Sequence, residues 1–100
     1  MSEATHITTE AATAWLARVH VTLKPVVLDP QGDAVLDALH HLGFDGVSSV
    51  RVGKYFEVTL RASDKTGAEQ AVDQMCARLL ANPVIESYRF AVEPETSAPS

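Results

Sequence analysis

The longest regular alternation of apolar and polar side chains lies near the middle of the chain. Its apolar residues share one parity, which only Lys54 interrupts, and they are Val50, Val52, Phe56, Val58 and Leu60. Side chains on one face of a β-strand recur at every second residue. The stretch from Val50 to Leu60 therefore predicts a half-buried strand.

Gly53-Lys54 in this stretch could instead form a hairpin turn. A two-residue turn would pair Val52 with Tyr55, placing apolar against polar residues on one face. A three-residue loop would preserve the faces, but its glycine would open the loop, whereas the usual bulged form has glycine at the closing position. We expect one long strand, bent or bulged at Gly53. The hairpin is disfavoured but is not excluded by the sequence. Such a strand is about twice the typical length of 5 to 6 residues, so we expect part of it to extend beyond its domain and pair with a second subunit.

Two further strands are predicted towards the ends of the chain. Alternation from Trp15 onwards predicts a strand that ends near Pro25. A last strand is predicted from Val84 to Val92. One face of it carries Tyr88, Phe90 and Val92.

A first helix is predicted to begin at Asp29-Pro30, since Asp is a good N-cap and Pro is favoured at the first helical position. Its apolar residues recur at helical spacing and predict a stripe that packs on a sheet: Val35, Leu39 and Leu42. Gly43 followed by Phe44 indicates a Schellman end, with Phe44 packing back on Leu39.

A second helix is predicted between the long strand and the last one. Its N-cap is Ser63, Asp64 or Thr66, and the sequence does not decide between them. Its buried stripe is predicted to contain Ala68, Val72, Met75 and Leu79. Asn82-Pro83 indicates where it has ended.

Together these elements predict an α+β fold. If the long strand counts as two segments divided at Gly53, the order is that of a ferredoxin-like two-layer sandwich, with two helices on one face of a mainly antiparallel sheet. We expect a single domain over residues 15–93, a disordered or frayed arm over residues 1–14 and a flexible tail over residues 94–100.

The composition and charge of the chain limit the classes of function to be expected. The 100 residues carry a formal net charge of -5, whereas nucleic acids and anionic membranes attract clustered Lys and Arg. We therefore expect no nucleic-acid or membrane partner. The single cysteine, Cys76, cannot form an intrachain disulfide, and its helical surroundings favour a small buried hydrophobe. With no membrane-length apolar run and no signal-peptide pattern, we expect a cytoplasmic protein.

The sequence offers little catalytic chemistry. The histidines lack the spacing of metal ligands, and Gly53-Lys54 lacks the glycine-rich loop of a phosphate-binding P-loop. We expect no metal and no catalytic residue. Four polar residues at strand ends or helix starts have no evident packing role: Lys24, Gln31, Arg51 and Lys54. From the residues alone, ordinary surface is the favoured interpretation of these four.

Four separated segments of the sequence resemble the PurS family, in the same order along the chain. They are Val21-Thr22-Leu23-Lys24-Pro25, Val27 to Gly32, Val50 to Tyr55, and Cys76 with Leu79 to Glu86. The resemblance runs from about Ala17 to Glu93. The N-terminal arm has no counterpart in the family, so we assign it no function.

The resemblance implies the small subunit of phosphoribosylformylglycinamidine (FGAM) synthase, which amidates formylglycinamide ribonucleotide in purine biosynthesis using ATP and glutamine. It implies a non-catalytic bridge between a synthetase subunit, which uses ATP and Mg, and a glutaminase subunit. It further implies a homodimer or homotetramer, and no cofactor bound by this chain.

The resemblance places family motif positions at Lys24, Asp29, Gln31, Gly32, Arg51, Gly53, Lys54 and Asn82. Partner contacts are expected at Lys24, Gln31, Arg51 and Lys54. Structural roles are expected at Asp29, Pro30, Gly32, Gly43, Gly53, Asn82 and Pro83.

Two other classes of function remain open on sequence grounds. One is a free-standing ferredoxin-like regulatory module that binds a small metabolite at a subunit interface, which rests on analogy of fold alone. The other is a small enzyme with a site shared between subunits, for which Lys54 and His20 are the first residues to test.

Overall fold

The computed structural model describes residues 13–95, in which three strands and two helices follow one another along the chain. The elements are β1 (Thr13–Leu23), α1 (Pro30–His41), β2 (Gly53–Ala62), α2 (Lys65–Met75) and β3 (Glu86–Pro94), and a π-helical turn, Cys76–Leu80, continues α2. This confirms the predicted α+β class. β1 begins earlier than expected, at Thr13. The rest of the predicted arm, and the tail beyond residue 95, lie outside the described residues.

The sheet has the order β2-β1-β3, and both pairings of the central strand are antiparallel. Odd-numbered residues of β1 face α2, and Ala17, Val19 and Val21 are at most 1% exposed. Val19, for example, lies between Phe56 of β2 and Phe90 of β3. Because side chains alternate between the two faces of a sheet, the apolar parity of each strand lies on the α2 side.

The long strand predicted from Val50 to Leu60 is shorter than expected. β2 begins at Gly53, and every residue of it pairs with β1, so no part of β2 extends beyond the sheet. The hairpin is also absent, because residues 47–52 form no strand in the described chain. A Cβ at Gly53 would lie 2.5 Å from the carbonyl oxygen of Val21. Glycine thus allows the chain to approach β1 closely at the point where β2 begins.

Both predicted ends of α1 are confirmed. The Asp29 side chain caps the helix by accepting a hydrogen bond from the amide of Gly32, and Pro30 occupies the first helical position. At the other end Gly43 has φ of 96°. The amide of Gly43 donates to the His40 carbonyl and that of Phe44 to the Leu39 carbonyl, both at 3.0 Å. This pair of hydrogen bonds defines a Schellman motif.

The position of α1 differs from the expectation that it covers the sheet of its own chain. Two residues of its predicted stripe are exposed, Val35 by 41% and Leu42 by 72%, while Leu39 is half-buried. Phe44, just beyond the helix, is 57% exposed. Gly32 is its only buried residue. The sheet is instead covered by α2. Periodicity identifies the apolar face of a helix, but it does not identify the surface against which that face packs.

The predicted stripe of α2 is correct in its first part and wrong at Leu79. Asp64 is the N-cap, and Ala68 and Val72 are fully buried. At the C-terminal end the amide of Ala81 donates to the Cys76 carbonyl, five residues back. This π-helical bond changes the angular register, leaving Leu79 82% exposed while Leu80 packs on the core. Cys76 is buried, as predicted.

Candidate functional site at the end of the sheet

Asp29 joins the start of α1 to the segment that precedes β2. It is 4% exposed. One carboxylate oxygen accepts from the amide of Gly32 and the other from the amide of Val52, both at 2.9 Å. These hydrogen bonds stabilise the ionised form and lower the pKa of Asp29, with the Val52 amide as the larger cause. A single buried carboxylate therefore positions two segments of chain that are distant in sequence.

Arg51 and Lys24 fix the neighbouring loop. The guanidinium of Arg51 donates to the carbonyl oxygens of Lys24 at 3.0 Å and Val27 at 3.2 Å. The ammonium of Lys24 donates to the carbonyl of Pro83 at 2.9 Å. The amide of Lys24 donates to the carbonyl of Ile85 at 2.8 Å. Residues 24–28 and 82–85 consequently lie side by side at one end of the sheet.

Lys54 and Glu86 form an ion pair on the α2 side of this end, with 3.4 Å between Nζ and Oε2. The other carboxylate oxygen of Glu86 accepts from the amide of Asn82 at 2.6 Å. The Asn82 amide, followed by Lys54, lowers the pKa of Glu86. The side chain of Asn82 accepts from the amide of Val84 at 3.0 Å, which is an Asx-turn. Glu86 thus connects β2 to the loop between α2 and β3.

A cavity of about 260 Å³ lies among these groups. Its polar lining is contributed by Asp29, Gln31, Lys54 and Glu86, and its apolar lining by Val21, Leu23 and Val52. Gln31 and Lys54 are exposed at this site, whereas Asp29 is buried. Side chains from both sheet edges and from α1 therefore meet at this end of the molecule.

The predicted partner residues Lys24, Gln31, Arg51 and Lys54 are brought together at this end. Three of them also form bonds within the chain, and only Gln31 has no hydrogen bond of its side chain to another described residue. We refer to the cluster of Lys24, Asp29, Gln31, Arg51, Lys54 and Glu86 as the polar cluster.

The residues predicted to be structural divide between this end of the sheet and α1. A side chain at Gly32 would overlap the carbonyl oxygen of Val50. Gly53 begins β2, Asn82 forms the Asx-turn, and Pro83 accepts from Lys24. Pro30 and Gly43 lie at the two ends of α1.

Glu86 was not predicted from the sequence, although a signal for it exists. Lys54 interrupts the apolar parity of β2, and Glu86 stands on the parity of Tyr88 and Phe90 in β3. A charged residue at an apolar position of each edge strand indicates an ion pair at the rim of the core. Cross-strand reasoning of this kind would have found the pair.

The described residues offer limited chemistry beyond binding. Within residues 13–95 there is no group of three His, Cys, Asp or Glu side chains placed to hold a metal ion. Neither helix of that range has the length and apolar character needed to cross a membrane. Apart from Gln31, the polar cluster consists of hydrogen-bonded and paired charges, an arrangement that positions loops and presents a surface.

Comparison with known proteins identifies the family. Residues 16–94 match the family described as PurS, phosphoribosylformylglycinamidine (FGAM) synthase. A PurS subunit of this synthase from Synechocystis is 57% identical over 75 residues, which cover 75% of each chain.

Solved structures agree with the sequence match. PurS of Bacillus subtilis is 49% identical with a TM-score of 0.72, and the alignment covers 79% of this chain and 98% of that one. A chain of the PurLQS structure from Thermotoga maritima is 28% identical with a TM-score of 0.75, covering 80% and 98%. The chain therefore belongs to the PurS family and is a subunit of phosphoribosylformylglycinamidine synthase, an enzyme of purine biosynthesis.

Proposed function

We propose that this chain is a non-catalytic bridging subunit that joins the synthetase and glutaminase subunits of the complex and supports transfer of ammonia between them. The observation that carries the proposal is the amount of apolar surface left exposed in one chain. Val26 is 90% exposed and Leu28 82%, in the loop beside the polar cluster. Val84, in the adjoining loop, is 77% exposed. Apolar patches rimmed by polar groups are typical of protein interfaces.

The exposed loop residues Val26, Leu28 and Val84 form a surface that we call the loop patch. Arg51 fixes one of its two loops by bonding the carbonyls of Lys24 and Val27. Gln31 and Lys54 lie close by and are accessible. A loop surface held in place loses little conformational entropy on binding, which favours association. The loop patch and its polar rim are the proposed contact with the other subunits.

A second surface supports association of this chain with itself as a homodimer or homotetramer. Val35 and Leu42 of the α1 stripe are exposed, and within residues 13–95 β2 is a ten-residue edge strand paired on one side only. The Cα radius of gyration is 18.7 Å, whereas a compact domain of the described length has about 12 Å. We propose that α1 and residues 47–52 of one copy pack beside α2 on the sheet of a second copy and cover its β2 edge, and that the face opposite α2 stays open. Long unpaired strand edges are usually covered.

The mechanism proposed for the bridge is proximity. The synthetase subunit would bind ATP and Mg, and the glutaminase subunit would bind glutamine. This chain would supply no reacting group. Holding the two subunits together raises the effective concentration of ammonia at the activated substrate, before ammonia is protonated or lost to solvent. Exposed apolar surface and loops fixed by hydrogen bonds are features that such a role requires.

Reconstitution tests the proposal directly. Purified synthetase and glutaminase subunits would be assayed with and without this chain, using glutamine in one series and free ammonia in the other. We expect the chain to raise the glutamine-dependent rate and to leave the ammonia-dependent rate unchanged. Equal glutamine-dependent rates with and without the chain would refute the bridging role.

Variants locate the two surfaces. Lys54→Ala should weaken capture of the partner subunits, while Lys65→Ala, which changes an exposed lysine at the start of α2, should not.

Leu42→Asp should lower the mass of the homo-oligomer measured by light scattering. Leu79→Asp is its matched control, because Leu79 is 82% exposed but lies outside the α1 stripe. An unchanged mass for Leu42→Asp would exclude α1 from the self-association surface.

A further inference from the structure

The sheet has a second face, opposite α2, on which polar side chains stand in register. Its residues are the even-numbered positions of β1 and the odd-numbered positions of β2 and β3. At the end nearest the polar cluster, Thr22 lies opposite Ser87 and His20 lies opposite Arg89. Directly opposed side chains on antiparallel strands have Cβ atoms about 4.5–5.5 Å apart. These four side chains therefore form a compact square on the open face.

The four side chains surround a cavity of about 100 Å³, which Tyr88 also lines. The side chain of Tyr88 belongs to the other face, where its hydroxyl donates to Asp73 at 2.6 Å. Tyr88 therefore contributes backbone to this cavity. On the β2 side, Thr22 lies opposite Gly53, which has no side chain, so the cavity is open beside Thr22, whereas the ring of Tyr55 lies 4.9 Å from that of His20, centroid to centroid.

Hydrogen-bond donors dominate this cavity. A guanidinium has only donors, an imidazole has at least one, and each hydroxyl can donate. The two carboxylates of the described strands on this face lie around Arg18: Glu93 pairs with it, and Glu57, which keeps its charge, stands opposite it on β2 and accepts from Tyr55 at 2.9 Å. Arg89 is exposed and has no ion pair within residues 13–95. The corner is thus locally cationic in a chain of net charge -5.

We propose that His20, Thr22, Ser87 and Arg89 form a binding site for a tetrahedral oxyanion, the phosphate group of a small phosphorylated molecule. Arginine binds phosphate through two parallel N–H donors, and serine and threonine hydroxyls commonly complete such sites. Four donor groups from two strands match the several oxygens of a phosphate better than the two oxygens of a carboxylate. The small cavity accommodates the phosphate alone, and the rest of the ligand extends over Gly53 into solvent.

The test is a titration of the full chain followed by amide NMR, with inorganic phosphate and ribose 5-phosphate as probes and sodium chloride holding ionic strength constant. We expect saturable shifts at the four site residues with both probes and none with chloride alone. Arg89→Gln and Thr22→Val should each weaken binding, the former about tenfold or more, because it removes the charge-assisted bonds. Arg61→Gln, an exposed arginine at the far end of the same face, is the matched control and should bind normally.

The outcomes of the titration distinguish the two sources of the phosphate group and also test the proposal itself. Tighter binding of ribose 5-phosphate assigns the site to phosphomonoesters, and equal binding assigns it to phosphate alone. Either result supports the oxyanion site. Absence of saturable shifts would refute it, as would shifts that chloride reproduces or that persist unchanged in Arg89→Gln. The bridging role is tested separately by reconstitution, so one proposal can fail while the other stands.

Discussion

Replacing Gly32 by alanine is expected to destabilise the protein, contrary to the usual effect of alanine in a helix. Alanine inside a helix normally stabilises by about 0.5–1 kcal/mol, since glycine loses more backbone entropy on folding. At Gly32, however, the new Cβ would overlap the carbonyl oxygen of Val50 and lie 2.7 Å from the carboxylate of Asp29. Asp29 is held in place by the amides of Gly32 and Val52, and the bond to Val52 also holds the segment that carries Val50.

Overpacking of this kind costs about 1–3 kcal/mol. After subtraction of the helix gain, the expected loss of unfolding free energy for Gly32→Ala is about 1 kcal/mol at the middle of these two ranges and up to about 2.5 kcal/mol at their extreme. Gly67 supplies a matched control, because it follows the N-cap of α2 by three residues, as Gly32 follows that of α1. A Cβ there would meet only the end of the Asp64 side chain, at 3.1 Å, and Ala62 at 3.9 Å. Gly67→Ala should be neutral or more stable by up to about 1 kcal/mol.

Urea unfolding of both variants and the parent, at one protein concentration, measures the difference. Concentration must be fixed because association contributes to apparent stability. A lower midpoint for Gly32→Ala alone is expected, with similar slopes for all three proteins. Equal midpoints for the two glycine variants would show that the contact between α1 and Val50 does not constrain the fold.

Three further predictions concern buried side chains. Val72→Ala should lower the unfolding free energy by about 1.5–3 kcal/mol, since Val72 is fully buried, whereas Leu79→Ala at an 82% exposed position should change it by less than about 0.5 kcal/mol in urea melts. Burial raises the pKa of Cys76, so its thiol should react with a disulfide reagent only after unfolding, and rapid reaction of the native chain at neutral pH would contradict this. The pKa of Asp29 is lowered below its ordinary value of 3.8, so its stabilisation is full above that value and is lost as the pH falls through the folded-state pKa. Urea midpoints should therefore fall less between neutral and acid pH in Asp29→Asn than in the parent, and parallel profiles would exclude this source of pH dependence.

Local patterns in the sequence predicted the local structure of this protein well. The caps at Asp29 and Gly43 were predictable because a short polar side chain and a positive φ each satisfy helix-end groups within a few residues. The three strands were predictable because one buried face imposes a period of two. The family was also identifiable, since four separated segments carry it.

The sequence-based predictions were wrong where the structure of a segment depends on its contacts with other segments. The sequence of Cys76–Leu80 continues a helical stripe, and only the tertiary structure selects the π-helical bond that turns Leu79 outward. Likewise, β2 starts at Gly53 because Val52 bonds to Asp29 and not to a neighbouring strand. The open-face cluster around His20 and Arg89 depends on the register of three strands, which no single strand specifies.

The central place of β1 in the sheet also sets the order in which the fold can form. β1 is the first strand along the chain, yet its nearest pairings join Thr22 to Gly53 and Leu23 to Glu86. Contacts between residues so distant in sequence slow folding, because a long loop must close before they form. During synthesis both edges of β1 remain open until β2 and then β3 have been made. A chain that ends before Glu86 therefore keeps one edge of its central strand unpaired, a condition that favours aggregation over native assembly.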